Sequence, residues 1–249
     1  MAKKKTKQPA KLQEALVLFK YILNLFGCKD LAALSGDLKD PALEGVDDEG
    51  CSRMFHSLKR HLYTDVGISE QELREYDRHI VKYTKEINER RTEKITWKYY
   101  QYLALLFTEI YLDRYFTDKM RLLDDINCFL VDEFNFRPET WHEMPQFTDD
   151  DLNKLAFWCA TGSGKTLMLH VNIKQYLYYA EKYHAKKLNR ILILTPNEGL
   201  SNQHIQELKA SGFYAELFNK QGQGGLFGGK QTVEVIDINK LADTDGDKT

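Results

Sequence analysis

Cys159-Ala-Thr-Gly-Ser-Gly-Lys-Thr166 is a glycine-rich stretch that ends in Lys-Thr. It follows the apolar run Leu155-Ala-Phe-Trp-Cys159, which predicts a strand, and it leads into a helical pattern from Thr166 to about Tyr183. Gly162 and Gly164 let the backbone curl so that its N–H groups point at one centre. The following helix directs the positive end of its dipole at the same centre. The stretch therefore predicts a phosphate-binding loop between a strand and a helix.

The loop predicts a binding site for the phosphates of ATP. Lys165 would bring a positive charge to the β- and γ-phosphates as the catalytic residue, and the Thr166 hydroxyl would ligate Mg²⁺. Cys159 stands where the usual pattern has an outer glycine, a position where a small residue can substitute if no phosphate approaches it. Kinases, GTPases, transporters and helicases all use such loops, so the loop alone leaves the class of protein open. The predicted nucleotide-binding residues are Ala160, Thr161, Gly162, Ser163, Gly164, Lys165 and Thr166.

The region after the loop has the alternation of strands and helices that is typical of a parallel α/β sheet. Strands are predicted at Arg190–Thr195 and Thr232–Ile238, with a helix over Gly199–Ser211 between them. Residues 222–229 contain five glycines and predict a mobile loop. Glu234 interrupts an apolar run, which favours a partly exposed third strand over a buried central one.

The first part of the chain has helical periodicity instead. Apolar residues from Leu12 to Phe26 form the stripe of an amphipathic helix that ends at Gly27. Ser69 and Glu72 have the spacing of a capping box, which predicts a polar helix to about Arg91. Residues 96–123 are rich in aromatic side chains that could stack on bases, but interleaved leucines favour a helix packed among other helices. We therefore predict a helical accessory domain over residues 1–148 and a partial α/β domain over residues 149–249.

Composition excludes several classes of protein. The net charge of −2 gives no overall basic signature of nucleic-acid binding, although a local patch would suffice. The four cysteines form neither a disulfide framework nor a metal clamp, which indicates a reducing, cytoplasmic setting. No apolar run is long enough to span a membrane, and no secretory signal follows the basic start.

Two strings resemble a known family. Ala-Thr-Gly-Ser-Gly-Lys-Thr, ending at Thr166, resembles motif I of superfamily 2 helicases, and Ile191-Leu-Ile-Leu-Thr-Pro-Asn-Glu-Gly-Leu-Ser-Asn-Gln-His204 resembles their motif Ia. The second string is similar to that of the motor subunits of type I and type III restriction enzymes and their UvrB-like relatives. The resemblance covers roughly residues 150–240 and implies an incomplete RecA-like domain that uses ATP and Mg²⁺.

The resemblance also implies partners and a second group of site residues. In this family nucleic acid crosses two RecA-like lobes, with ATP bound between the lobes. The implied partners are DNA, most naturally duplex DNA, and a methyltransferase or another subunit of a defence system. The implied nucleic-acid contacts are Thr195, Pro196, Asn197, Asn202 and His204, with Gln203 nearby. For Ser201 and Asn202, helix capping is the alternative interpretation.

The family's Asp-Glu-x-His box, which would hold Mg²⁺ and position the attacking water, is not found after motif Ia. Leu130-Val-Asp-Glu133 imitates it but precedes the phosphate loop, and Asp237 is the other candidate carboxylate. We therefore expect an N-terminal fragment of a larger helicase-type hydrolase, or an early-terminated gene product, that at best binds nucleotide weakly and does not turn it over. An RNA helicase and a non-motor ATPase or kinase remain the alternatives.

Overall fold

The computed structural model describes residues 15–62, 67–134, 144–186, 188–218, 226–227 and 230–242. The chain divides into two compact units, one formed by residues 1–78 with 97–161 and the other by residues 79–96 with 162–249. The helix Glu70–Asn88 contributes its first part to one unit and its last part to the other. The domain boundary between residues 148 and 149 stays a prediction.

The first unit is helical in its described residues. Its elements are α1 (Val17–Leu25), α2 (Leu31–Ser35), α3 (Arg53–Leu58), the start of α4 (Glu70–Asn88), α5 (Tyr99–Thr117) and α6 (Lys119–Phe129). The helix ends agree with the predicted signals. Gly27 stops α1 with a φ of 66°. At the start of α4, the Glu72 carboxylate accepts from the Ser69 backbone N–H at 2.8 Å, and the Glu72 N–H donates to the Ser69 hydroxyl at 3.2 Å.

The aromatic-rich helix α5 is part of the core of this unit. Tyr102, Leu105 and Leu106 are each no more than 2% exposed, and the packing interpretation is confirmed. The Tyr102 hydroxyl donates a hydrogen bond to the buried carboxylate of Asp77. Asp77 accepts a second hydrogen bond from the Ser52 N–H at 2.9 Å. Asp77 is fully buried, and this burial raises the pKa of its carboxyl above the usual range.

The second unit contains the sheet. Its elements after the phosphate loop are α7 (Lys165–Lys182), β1 (Ile191–Thr195), α8 (Glu198–Ala210), β2 (Tyr214–Leu217), β3 (Leu226–Phe227), β4 (Lys230–Asp237) and α9 (Ile238–Ala242). The strand order is β1-β4-β2 with all three strands parallel, and the short β3 pairs antiparallel with β4. A small parallel sheet with attached helices is an incomplete RecA-like α/β domain, as the sequence predicts.

One face of the sheet packs against α7 and α8. Val233 and Val235 of β4 are fully buried there, beneath Ile173 of α7 and Leu208 of α8. The opposite face is more open, since Leu192 and Leu194 of β1 are 44% and 52% exposed.

Two expectations about strands are wrong. Residues 155–159 form no strand, and Trp158 in that run is 77% exposed. The run is apolar, but its backbone has no neighbouring strand with which to pair among the described residues. In addition, β4 is the central strand and Glu234 is only 2% exposed. Arg190 compensates this buried carboxylate, with Nη1 at 3.4 Å from both of its oxygens.

None of the described helices is both long enough and apolar enough to cross a bilayer.

Candidate functional site

The backbone of the phosphate loop curls at two left-handed glycines. Gly162 has a φ of 76°, and Gly164, the N-cap of α7, has a φ of 80°. The Gly164 carbonyl accepts from the N–H groups of Leu167 and Met168 at 3.0 and 3.1 Å. Lys165 and Thr166 are the first two helical residues, whose N–H groups have no acceptor within the helix. The turn and the helix start together form an N–H-rich, electropositive end of the kind that binds phosphate.

The side chains of the loop differ in their exposure. Thr161 and Lys165 are exposed, Thr166 is half-buried, and Ser163 is 7% exposed. An exposed ammonium on a flexible stem can follow a phosphate, while a half-buried hydroxyl at the second helical position has a more restricted direction. Among the described residues no group of three or more His, Cys, Asp or Glu side chains could hold a metal ion.

The phosphate loop is not carried by a strand of the sheet, since residues 155–159 form none. Residues 162–166 belong to the second unit, where contacts of α7 hold them. His170, in the second turn of α7, lies 2.8 Å through Nδ1 from the Ser211 hydroxyl, and its ring centre is 5.7 Å from that of Phe213. Ser211 and Phe213 lie between α8 and β2, at the amino edge of the sheet.

The second group of predicted residues begins at the opposite, carboxyl edge. Thr195 ends β1 opposite Asp237 of β4 and is 2% exposed. Its hydroxyl lies 2.6 Å from that of Ser201 and donates to the Ile236 carbonyl at 3.3 Å. A buried hydroxyl with these partners fixes the end of the strand and offers little surface to a ligand.

Asn197 is the N-cap of α8. Its Oδ1 accepts from the Leu200 N–H at 2.9 Å, so the capping role proposed for Ser201 and Asn202 belongs to Asn197. Ser201 is buried, while Pro196, Asn202 and Gln203 are exposed. The exposed side chains and the start of α8 form a polar surface of the kind that contacts phosphate.

His204 differs from its neighbours because it is half-buried. Its Nδ1 is buried and has no hydrogen-bond partner among the described residues. The side chain therefore turns towards the protein rather than lying wholly on the polar surface.

Sequence reasoning missed the residues that follow β4. Asn239 donates through Nδ2 to the Pro196 carbonyl at 3.2 Å and to Asp237 at 3.0 Å. Lys240 forms an ion pair with Glu198 at 2.9 Å, and this contact raises the pKa of the lysine. These side chains extend the polar surface around Asn197. The sequence could have indicated these residues, because they follow a predicted strand and the carboxyl ends of neighbouring parallel strands meet at one edge of a sheet.

The two candidate carboxylates have different surroundings. Asp132 lies in a turn of π-helix, Leu130–Phe134, that directly follows α6. Asp237 lies at the carboxyl edge but accepts from the Asn239 backbone N–H at 2.9 Å. The Asp237 side chain thus caps the start of α9.

A family model for the res subunit of type III restriction enzymes matches residues 70–245, more than half of the chain. The chain belongs to the type III restriction enzyme res subunit family. Neither the curated proteins nor the solved structures contain a match. The res family is one of ATP-dependent, helicase-like restriction subunits of superfamily 2. Its match begins at the first residue of α4, so the res region includes the segment 79–96 as well as the sheet.

Proposed function

We propose that this chain is the ATP-binding part of a DNA-dependent translocase of the restriction type. The observation that carries the proposal is the loop 160–166, in which two left-handed glycines precede a helix that starts at Lys165. Phosphoryl transfer requires little covalent chemistry from a protein, so positioning and electrostatics dominate. The loop amides and the dipole of α7 would hold the phosphates, Lys165 would offset developing negative charge, and Thr166 would ligate Mg²⁺.

The proposed DNA contact is the polar surface at the carboxyl edge of the sheet. Pro196, Asn197 and Asn202 are exposed there, and Asn239 and Lys240 extend the surface. Such side chains contact the phosphate backbone without reading sequence. Glu198 holds Lys240, so a DNA phosphate would have to compete with that carboxylate. Duplex DNA and a second restriction subunit, such as a methyltransferase, are the proposed partners.

Nucleotide binding is tested by thermal unfolding with and without MgATP. A ligand at about 100 times its Kd adds about 2.7 kcal/mol to the free energy of unfolding, so the wild type should melt at a higher temperature with MgATP. Lys165→Ala should lose most of this shift. Lys209→Ala, which removes an exposed lysine from the end of α8, should keep it. A shift of the same size in Lys165→Ala would refute the assignment.

Binding of DNA is tested by fluorescence anisotropy with labelled duplexes. We expect the affinity to fall steeply as salt is raised, because phosphate contacts release counterions. Preference for RNA of the same sequence would favour an RNA helicase instead.

The chain of 249 residues should not hydrolyse ATP in response to DNA, because no adjacent Asp-Glu pair follows the loop in its sequence. A steady-state phosphate-release assay with saturating duplex checks this expectation. DNA-stimulated turnover that disappears in Lys165→Ala would show that other carboxylates hold Mg²⁺ and position the attacking water.

A further inference from the structure

Residues 88–95 form a closed loop after α4, which we term the Arg91 loop. Asn88 and Ile95 close it with two reciprocal hydrogen bonds, Asn88 Nδ2 to the Ile95 carbonyl at 3.0 Å and the Ile95 N–H to Asn88 Oδ1 at 2.8 Å. Lys94 Nζ donates to the carbonyls of Asn88 and Arg91 at 2.7 and 2.9 Å. These hydrogen bonds fix the backbone at Arg91 independently of the contacts of its side chain.

The Arg91 side chain is only 15% exposed and reaches the end of α8. Its Nη2 lies 2.9 Å from Glu207 Oε2, 3.3 Å from the Glu207 carbonyl and 2.8 Å from the Ser211 hydroxyl. Glu207 and Ser211 are one helical turn apart and face the same side. A planar guanidinium suits several acceptors at once, which a lysine ammonium does less well.

Ser211 extends the contact to α7. Because arginine can only donate, Ser211 Oγ accepts from Arg91, and its own hydrogen is left to donate to His170 Nδ1 at 2.8 Å. His170 is fully buried, and its burial, with a smaller effect of the Arg91 charge, lowers its pKa to about 3. The ring is therefore neutral near pH 7 and keeps Nδ1 as an acceptor.

A second contact joins the same segment to α7. Glu86 forms an ion pair with Lys174 at 2.7 Å, and the Lys174 ammonium lies 5.0 Å from the Phe213 ring centre. His170 and Lys174 are also one turn apart, so both face the segment 79–96. This segment lies within the residues that the res family model matches.

The two helices that these contacts join begin at different candidate sites. The first residue of α7 is Lys165, and α8 begins directly after Asn197. His170 is about 7.5 Å along the helix axis from Lys165, and α8 is a rod about 20 Å long. A movement at the start of α7 would therefore reach the start of α8 through the Arg91–Ser211–His170 junction.

We propose that Arg91 is a positioning residue that couples the nucleotide-binding helix α7 to the nucleic-acid-facing helix α8. The inference rests on the proposed function. Without Arg91, the Ser211 hydroxyl loses the donor that orients it towards His170, so the direct contact between α8 and α7 is weakened.

Hydrogen exchange with and without a magnesium complex of a non-hydrolysable ATP analogue tests this coupling. In the wild type, the analogue should slow exchange of the loop amides 162–166 and, about tenfold, of the Leu200 and Ser201 amides at the start of α8. In Arg91→Ala the loop should still be protected, whereas the change at Leu200 and Ser201 should fall below about twofold. Arg90→Ala, which removes an exposed neighbouring charge, should behave as the wild type.

The outcomes separate the two proposals. Loop protection in both proteins with an equal response at Leu200 and Ser201 overturns the role of Arg91 and leaves nucleotide binding intact. No loop protection in the wild type overturns both proposals. If Arg91→Ala does not fold, Arg91→Lys makes the same comparison, because it keeps the charge but lacks the guanidinium; a full wild-type response in it, with the loop protected, would also overturn the role.

Discussion

At the scale of single residues, the curl of the phosphate loop depends on the left-handed backbone of Gly162. A Cβ added there would meet no atom of the described residues within 4 Å, so the obstacle to a side chain is the φ of 76°. We expect Gly162→Ala to lower the free energy of unfolding by about 1 kcal/mol, the usual cost of a left-handed alanine. Urea unfolding measures it. The matched control is Gly199→Ala within α8, where a Cβ has room at 3.4 Å and helix propensity favours alanine. An unchanged stability in Gly162→Ala would indicate that the loop is not curled.

Asn197 and Asn202 separate capping from nucleic-acid contact. Asn197→Ala removes the N-cap of α8 and should cost about 1 kcal/mol of stability. Asn202 is exposed, so Asn202→Ala should leave stability within about 0.5 kcal/mol of the wild type while it weakens binding of duplex DNA. Denaturant unfolding and anisotropy on the same two variants provide the comparison. If Asn202→Ala binds DNA as tightly as the wild type, Asn202 is not part of the contact surface.

At the scale of elements, helix boundaries were predictable where the signal is local. Ser69 with Glu72 and the left-handed Gly27 act within one turn of the chain, so sequence spacing alone identifies them. Strands depend on partners that are distant in sequence. The run 155–159 is apolar enough for a strand, but no strand in the described part of the chain pairs with it. The buried Glu234 is tolerated because the Arg190 guanidinium lies beside its carboxylate. Neither the need for a pairing strand nor the presence of a compensating arginine can be read from the residues of the strand itself.

The packing of α5 against α4 predicts a pH dependence that belongs to this pair of elements. Burial raises the pKa of Asp77 in the folded state above the unfolded value of about 3.9. The folded state then binds the proton more tightly, so this contribution to stability is complete below the unfolded pKa and is lost as pH rises through the folded pKa.

The test compares Asp77→Asn with the wild type by urea unfolding from acid to neutral pH. Asparagine mimics the protonated acid, so the stability of the wild type relative to the variant should fall as pH rises. The comparison is needed because partners lower the pKa of Asp47 and Glu70, which act in the opposite direction. A difference that is independent of pH would mean that Asp77 is not shifted.

At the scale of the whole molecule, the sequence was sufficient to predict the class of fold and the curled backbone at Gly162 and Gly164. The loop was accessible because its chemistry requires Gly162, Gly164 and Lys165 at fixed spacing in one continuous segment. Asn239 was accessible only through the rule that neighbouring parallel strands end at one edge of a sheet. Arg91 was not accessible, because its contact with Ser211 joins residues that only the folded chain brings together. The res family match from residue 70 agrees with this wider extent.

The central claim is that the curled loop binds a triphosphate with its backbone amides. Amide proton–nitrogen NMR during a titration with a magnesium complex of a non-hydrolysable ATP analogue tests it most directly. The largest shifts should occur at Gly162, Gly164, Lys165 and Thr166, and they should vanish in Lys165→Ala. Shifts confined to other residues, or the same shifts in Lys165→Ala, would contradict this claim.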